Sequence, residues 1–265
     1  MTQLSYRYFV RGSWAGPADE KPAVTGAKFL KALDSLSGID TLLSGWQVMR
    51  NWKLTEDERP RFVRLDAARD CIAEIVEQGV SRDERDQRDP RYGYSVSAAA
   101  GARGPRRVAF YARTGQQFFA LSFGEHYLAS DLTIVTYPLF KAALLAISAA
   151  WDAQWSYAQA VRNEFVELPM DFGPGVPAFR IEAAPQVPLD PTFPRSIFHV
   201  PWIVYLSAKY AAGVALAREI LTERTPDGGL LMSATTDRLD PTNPEHARRA
   251  RILAETLIAC SGYRR

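Results

Sequence analysis

A run of alternating apolar and polar residues between positions 92 and 137 constrains the fold of this chain more than any other feature. Three stretches show the alternation clearly, around Val96, from Val108 to Ala112 and from Phe118 to Phe123, and a fourth runs from Leu132 to Thr136. Alternation with a period of two residues is typical of β-strands. Because the connections are short, the pattern predicts an antiparallel meander of four strands.

Three other stretches carry apolar residues at helical spacing. They are positions 29–36, positions 65–76 closed by Gly79, and a long stripe that begins after Pro138 and holds Phe140, Leu144, Ile147, Trp151 and Trp155. An opening strand at positions 6–10 and a short strand at 45–49 complete the N-terminal part. Groups of strands and groups of helices that follow one another predict an α+β fold, with helices packed on an antiparallel meander sheet.

The segment from Pro169 to Pro201 contains eight prolines, these two included. This composition predicts an extended segment that wraps the core rather than a flexible linker. We therefore expect one domain over residues 1–265, in which an N-terminal half of about 1–165 and a C-terminal half of about 178–265 pack as a unit. Positions 82–91 hold eight ionisable residues in ten and no apolar one, which predicts a solvated loop.

The C-terminal quarter contains a strand, a hairpin and a helix with clear boundaries. Trp202 to Leu206 predicts a strand, and Thr225-Pro226-Asp227-Gly228 fits a type I turn that leads into a second strand from Leu230 to Thr236. Asn243 is a favourable N-cap residue, and Pro244 suits the first position of a helix. The apolar residues that follow recur at helical spacing, so a final helix is expected.

Charge and hydropathy exclude two classes of partner. The chain holds 32 basic and 30 acidic residues, and its formal net charge of +2 is too small to indicate a nucleic-acid-binding protein. No stretch approaches about 18 uninterrupted apolar residues, so no membrane span is expected. Arg7 and Arg11 interrupt the N-terminal apolar run, which makes it a poor signal peptide and favours a cytoplasmic protein.

No residue pattern points to catalysis, a cofactor or a metal ion. The three histidines stand singly, and His246 is expected to be exposed. Tyr205 and Lys209 have the spacing of a short-chain dehydrogenase motif, but Tyr205 falls in a strand without a glycine-rich dinucleotide fold. Asp237, Asp240 and Glu245 would suit a cation, although turn formation and stabilisation of the helix N-terminus explain them better. We expect a protein that is not an enzyme and needs no cofactor.

Three separated blocks of the chain, in the right order, resemble the immunity protein 52 family of bacterial polymorphic-toxin and type VI secretion systems. The first joins Phe29-Leu-Lys-Ala-Leu33 to Leu43-Ser-Gly-Trp46, the second is Ala149-Ala-Trp-Asp-Ala-Gln-Trp155, and the third is the C-terminal quarter from Pro201. The resemblance implies a cytoplasmic protein that binds and neutralises a secreted toxin, commonly one with a restriction-endonuclease-like nuclease domain.

Two alternatives stay open on sequence alone. The chain could be a small-molecule enzyme whose site the sequence does not reveal, which would require a pocket of convergent titratable residues. It could also be a structural adaptor of a secretion apparatus, which would assemble stably in the absence of a toxin.

Two loops are candidate surfaces for a toxin partner, because loops carry binding residues on a fixed scaffold. One holds Glu125, His126 and Tyr127. The other runs from Asp227 through Asp237 to Asp240. Tyrosine is a frequent interface anchor, and carboxylates could meet the basic cleft of a nuclease. An alternative role for Asp237 and Asp240 is to shape the backbone only.

Overall fold

The computed structural model describes residues 6–17, 20–50, 61–80, 93–124, 129–162, 200–212 and 214–260. Within these ranges ten strands form a single sheet in which every pairing is antiparallel. The strands are β1 Tyr6–Trp14, β2 Gln47–Met49, β3 Phe62–Arg64, β4 Ser95–Ala100, β5 Val108–Arg113, β6 Phe118–Phe123, β7 Ala153–Arg162, β8 Val200–Leu206, β9 Leu221–Arg224 and β10 Leu230–Ser233. Their spatial order is β3-β2-β4-β5-β6-β1-β7-β8-β10-β9, so the sheet is open.

Helices pack on this sheet, as the α+β prediction requires. They are α1 Pro22–Ser37, α2 Leu65–Ala68, α3 Ile72–Gln78, α4 Tyr137–Trp151, α5 Ala208–Ala211 and α6 Pro244–Cys260. Helix α4 lies against β1, β7 and β8, α1 packs on α4 and α3, and α6 contacts β8. No helix in the described ranges is long and apolar enough to cross a membrane.

The meander prediction is confirmed for three strands, β4, β5 and β6, and is wrong for the fourth. The segment from Leu132 to Ile134 forms a turn. The carboxylate of Asp131 accepts hydrogen bonds from the backbone N of Thr133 at 2.9 Å and from its hydroxyl at 2.7 Å. Because an Asp side chain can satisfy the backbone two residues ahead, it stabilises a turn in place of a strand.

The long helix ends four residues earlier than its apolar stripe predicts. Asp152 follows α4 with a left-handed φ of 49°. The chain then enters β7, so that Trp155 is a strand residue and not the last member of the stripe. Asp is one of the residues that tolerate this backbone conformation, and such a residue commonly ends a helix.

The core between α4 and the sheet is built from large aromatic side chains. Phe140 of α4 contacts Trp202 of β8 and Tyr8 of β1, with ring centroids 5.2 and 6.1 Å apart. Trp151 packs on Trp14 at 4.4 Å. These side chains are almost completely buried, and aromatic pairs at such distances contribute beyond the area that they bury.

Strands β1 and β7 carry the sheet from the N-terminal half of the sequence to the C-terminal half. It pairs with β6 on one side and with β7 on the other, over most of its length. Strand β7 pairs in turn with β8 of the C-terminal part. At Gly12 a Cβ atom would overlap the Phe119 ring and lie 2.7 Å from Ser156 Cβ, so the strand needs glycine there.

The C-terminal hairpin follows its prediction closely. Gly228 N donates to Thr225 O at 2.9 Å, and Gly228 has a φ of +81°, a conformation that glycine adopts without strain. The second strand ends at Ser233, short of Thr236. The 82–91 run and the proline-rich segment as far as position 199 lie outside the described residues, so their predictions are untested.

Candidate partner-binding surface

The strand register defines two opposite ends of the sheet. Tyr8 pairs with Phe123 and with Ala160, and Ser233 pairs with Ile203 of β8. These pairings place the start of β1 and the ends of β6, β7 and β10 together, and we call this the Ser233 end. The opposite edge, where β10 begins, is the Leu230 end.

The candidate residues that the structure describes lie at both ends of the sheet. Glu125, His126 and Tyr127 lie outside the described residues, so their placement is untested; the last described residue before them, Gly124, follows β6 at the Ser233 end. Asp237 and Asp240 follow β10 and lie at that end too. Asp227 precedes β10 and lies at the Leu230 end. Four strand residues at about 3.3 Å each separate the ends by roughly 13 Å, so the stretch from Asp227 to Asp240 is not one surface.

Two long-range hydrogen bonds fix the Ser233 end. The Tyr8 hydroxyl donates to the backbone oxygen of Leu239 at 2.6 Å. The Arg238 guanidinium donates to the backbone oxygen of Leu132 at 3.3 Å. The segment after β10 is therefore held against the turn that replaces the expected fourth meander strand. Desolvation by burial is the main reason that the pKa of Tyr8 is raised.

Asp240 shapes the backbone that leads into α6. Its carboxylate accepts from the N and the hydroxyl of Thr242 at 2.9 and 2.7 Å. The hydroxyl bond is the main cause that lowers the pKa of Asp240, and His246 and Arg238 lower it further. Its own N donates to Nδ1 of His246 at 3.1 Å. His246 is half-buried, which corrects the expectation of an exposed residue.

Asp237 is exposed beside these bonded groups. Its backbone N donates to the Thr235 hydroxyl at 3.1 Å. Within the described part of the chain, its carboxylate makes no hydrogen bond and no ion pair. The neighbouring carboxylate of Asp131 is held by Thr133 and lies 3.5 Å from Arg106. Of Asp131, Asp237 and Asp240, Asp237 is therefore the residue whose carboxylate is available to a partner.

Asp227 is a structural residue of the hairpin. Its carboxylate accepts from the hydroxyls of Thr225 and Tyr205 and from Gly229 N at 3.2 Å. The hydrogen bond from Thr225, followed by that from Tyr205, lowers the pKa of Asp227. Burial, followed by the bond to this carboxylate, raises the pKa of Tyr205. The hydrogen bonds to the Asp227 carboxylate are therefore internal to the protein and stabilise the hairpin.

Glu245 acts at the first turn of α6. Its carboxylate accepts from Arg248 at 2.8 and 3.0 Å and from Arg249 at 2.7 Å. These bonds lower its pKa to about 2. Asn243 Oδ1 accepts from the N of Glu245 at 2.9 Å, as an N-cap residue should. Among described residues no three His, Cys, Asp or Glu side chains are arranged to hold a metal ion.

Sequence reasoning missed the residues that assemble the Ser233 end. Tyr8 and Leu239 are 231 positions apart, and Arg238 and Leu132 are 106 apart. No local pattern marks such pairs, because the sheet order alone brings them together. The exposed side chain of Leu132, predicted as a strand residue, also belongs to this surface and was not a candidate.

Comparisons with known proteins establish no family for the chain. No family model and no curated protein sequence matches it. A solved structure, a T6SS protein of Pseudomonas aeruginosa, is similar with a TM-score of 0.49 and 12% identity, over 98% of this chain and 77% of the other. At this level of similarity the match does not assign a function to the chain.

Proposed function

We propose that this chain is an immunity protein that binds a cognate secreted toxin and neutralises it by covering the toxin's active or substrate-binding site. The observation that carries the proposal is the ordered resemblance of three blocks to the immunity protein 52 family. That resemblance implies a role beside a type VI or polymorphic toxin, with a restriction-endonuclease-like nuclease as the leading partner. In this proposal the chain has no catalytic activity and needs no cofactor.

The position of the resembling residues in the fold supports this reading. Phe29, Trp46 and Trp151 are all completely or almost completely buried. Phe29 of α1 stacks on Phe110 of β5, and Trp151 of α4 packs on Trp14 of β1, so these two residues help to fix the helices on the sheet. The loops at the sheet ends are then left to be shaped for one toxin. A fixed scaffold with specialised loops is what a specific inhibitor requires.

The Ser233 end is the proposed docking surface. Asp237 offers an available carboxylate, and Leu132 beside Arg238 is 45% exposed. The described charges at this end are mixed, since Asp131 and Asp237 lie among Arg106 and Arg238. A mixed surface does not imitate the phosphates of DNA, so we propose that shape complementarity and local carboxylates hold the toxin.

Co-expression with the toxin encoded by a neighbouring gene tests the proposal. We expect the chain to restore growth and to form a complex with the purified toxin domain. Its Kd should rise by no more than about tenfold between low and physiological salt, because few exposed charges are involved. A rise of several decades would contradict the proposed mode of inhibition, and a failure to restore growth would contradict the function itself.

Asp237→Ala tests the docking surface separately. If Asp237 meets a basic group of the toxin, the variant should lose about 2 kcal/mol of binding free energy, a typical cost at an interface hot spot. Its thermal unfolding should match that of the original chain. Asp66→Ala is the control, because Asp66 is 80% exposed and lies beside the distant edge strand β3. Equal affinity of the two variants would place the toxin elsewhere.

A further inference from the structure

The face of the sheet opposite α4 carries two arginines at its centre. Tyr8 and Val10 of β1 face α4, so the alternate residues Arg7, Phe9 and Arg11 lie on the other face. The guanidinium carbons of both arginines lie over the Phe9 ring, 4.9 and 4.8 Å from its centroid. Two positive charges are therefore held beside one ring.

Arg7 is buried without a counter-charge among the described residues. Its side chain is 5% exposed, and its guanidinium donates to the backbone oxygen of Gly124 at 3.2 Å. Its Nε has no hydrogen-bond partner in the described part of the chain. Burial and the nearby charge of Arg11 lower its pKa to about 10. A buried charge costs several kcal/mol unless an opposite charge or hydrogen bonds stabilise it.

A second unsatisfied polar group lies on the same face. Gln159 of β7 pairs directly with Phe9, so its side chain lies beside that ring. The residue is completely buried. Among the residues that the structure describes, neither its Nε2 nor its Oε1 has a hydrogen-bond partner. An unsatisfied buried amide costs about 1–3 kcal/mol, and such groups are rare in native proteins.

We propose that Arg7 and Gln159, with Arg11 beside them, form a binding site for a small oxyanion such as phosphate or a carboxylate. The guanidinium of Arg7 supplies charge and a planar set of donors that matches an oxyanion. The Gln159 amide nitrogen adds a neutral donor. A water molecule would satisfy the amide but would leave the buried charge uncompensated. This inference is independent of the proposed function.

Thermal unfolding in added phosphate, acetate or chloride at constant ionic strength tests the site. We expect phosphate or acetate, but not chloride, to raise Tm in a saturable way, by about 3 °C or more at tenfold excess over Kd. Arg7→Met and Gln159→Met should each abolish this rise. Arg251→Met is the matched control, because Arg251 is exposed on α6, and it should keep the rise. The anion that acts identifies the class of oxyanion.

Equilibrium dialysis of the unmodified chain against labelled phosphate and labelled acetate gives a direct count, even if Arg7→Met does not fold. One bound ion per chain supports the site. No bound ion of either kind, or a Tm rise that both variants retain, overturns it. A higher Tm of Arg7→Met with no effect of any anion also overturns it, because an arginine that only carries a desolvation cost is improved by an apolar replacement.

Discussion

Aspartate side chains have different roles at positions 227, 237 and 240. The carboxylates of Asp227 and Asp240 each accept hydrogen bonds from a hydroxyl and a backbone N within the same turn. The carboxylate of Asp237 makes no such bond in the described ranges. The alternative that Asp237 and Asp240 only shape the backbone agrees with the hydrogen bonds of Asp240. Asp237 is the better candidate for contact with a partner, and that role stays a prediction.

Asp227→Asn should destabilise the protein in a pH-dependent way. The folded-state pKa of Asp227 lies below the ordinary value of 3.8. Its contribution to the free energy of unfolding is therefore fully present above that ordinary value, and it is lost as the pH falls through the lower folded-state pKa. We expect a loss of about 1 kcal/mol at pH 7, measured by urea unfolding, and a smaller loss near pH 3.

Asp237→Asn is the control for this measurement, because its exposed carboxylate makes no described hydrogen bond or ion pair. It should change the free energy of unfolding by less than about 0.5 kcal/mol at either pH. A loss in Asp227→Asn that is the same at pH 7 and pH 3 would show that shape, and not charge, is what the hairpin requires.

Most individual helices and strands were predictable, because their signals are local. The starts of α4 and α6, the strands β5 and β6 and the 225–228 turn follow from periodicity, proline and turn residues within a few positions. The strand expected at Leu132 to Thr136 failed, since an Asp131 side-chain bond competes with strand pairing. Alternation by itself does not reveal whether a neighbouring strand is available.

The N-cap of α6 gives a prediction at this scale. Asn243→Ala removes the acceptor for the backbone N of Glu245 and should lower the free energy of unfolding by about 1 kcal/mol. Asn243→Asp keeps an acceptor and adds a negative charge at the helix N-terminus, so it should be neutral or slightly stabilising. Chemical denaturation measures both changes. Equal destabilisation by the two variants would exclude the capping role.

At the scale of the whole molecule, the continuous sheet is the basis for a prediction that the chain unfolds as one cooperative unit. Strand β1 lies between β6 and β7, and β7 carries the pairing on to β8 and β10. We predict a single unfolding transition in calorimetry, with equal van't Hoff and calorimetric enthalpies. Amide hydrogen exchange should be slowest in β1 and β7 and fastest in the outer strands β3 and β9.

Two separate calorimetric transitions would contradict this prediction. A markedly different maximum amide protection in strands β4–β6 and in strands β8–β10 would also contradict it. Two independent halves would each unfold with their own free energy, and their amides would exchange accordingly. A variant with Gly12→Val provides an internal check. Its Cβ would overlap Phe119 of β6 and Ser156 of β7, so in a cooperative fold it should lower the stability of both halves together.

The sequence by itself determined the α+β class, most local elements and the absence of a recognisable catalytic pattern, because these depend on residues close together in the chain. The tertiary structure decided the order of the strands, the separation of Asp227 from Asp237 and the burial of Arg7 and Gln159 on the same face of the sheet. A strand's alternation specifies which of its faces is apolar but not which strand pairs with it. That choice is made by packing between residues more than a hundred positions apart, such as Tyr8 with Phe140 and Tyr8 with Trp202.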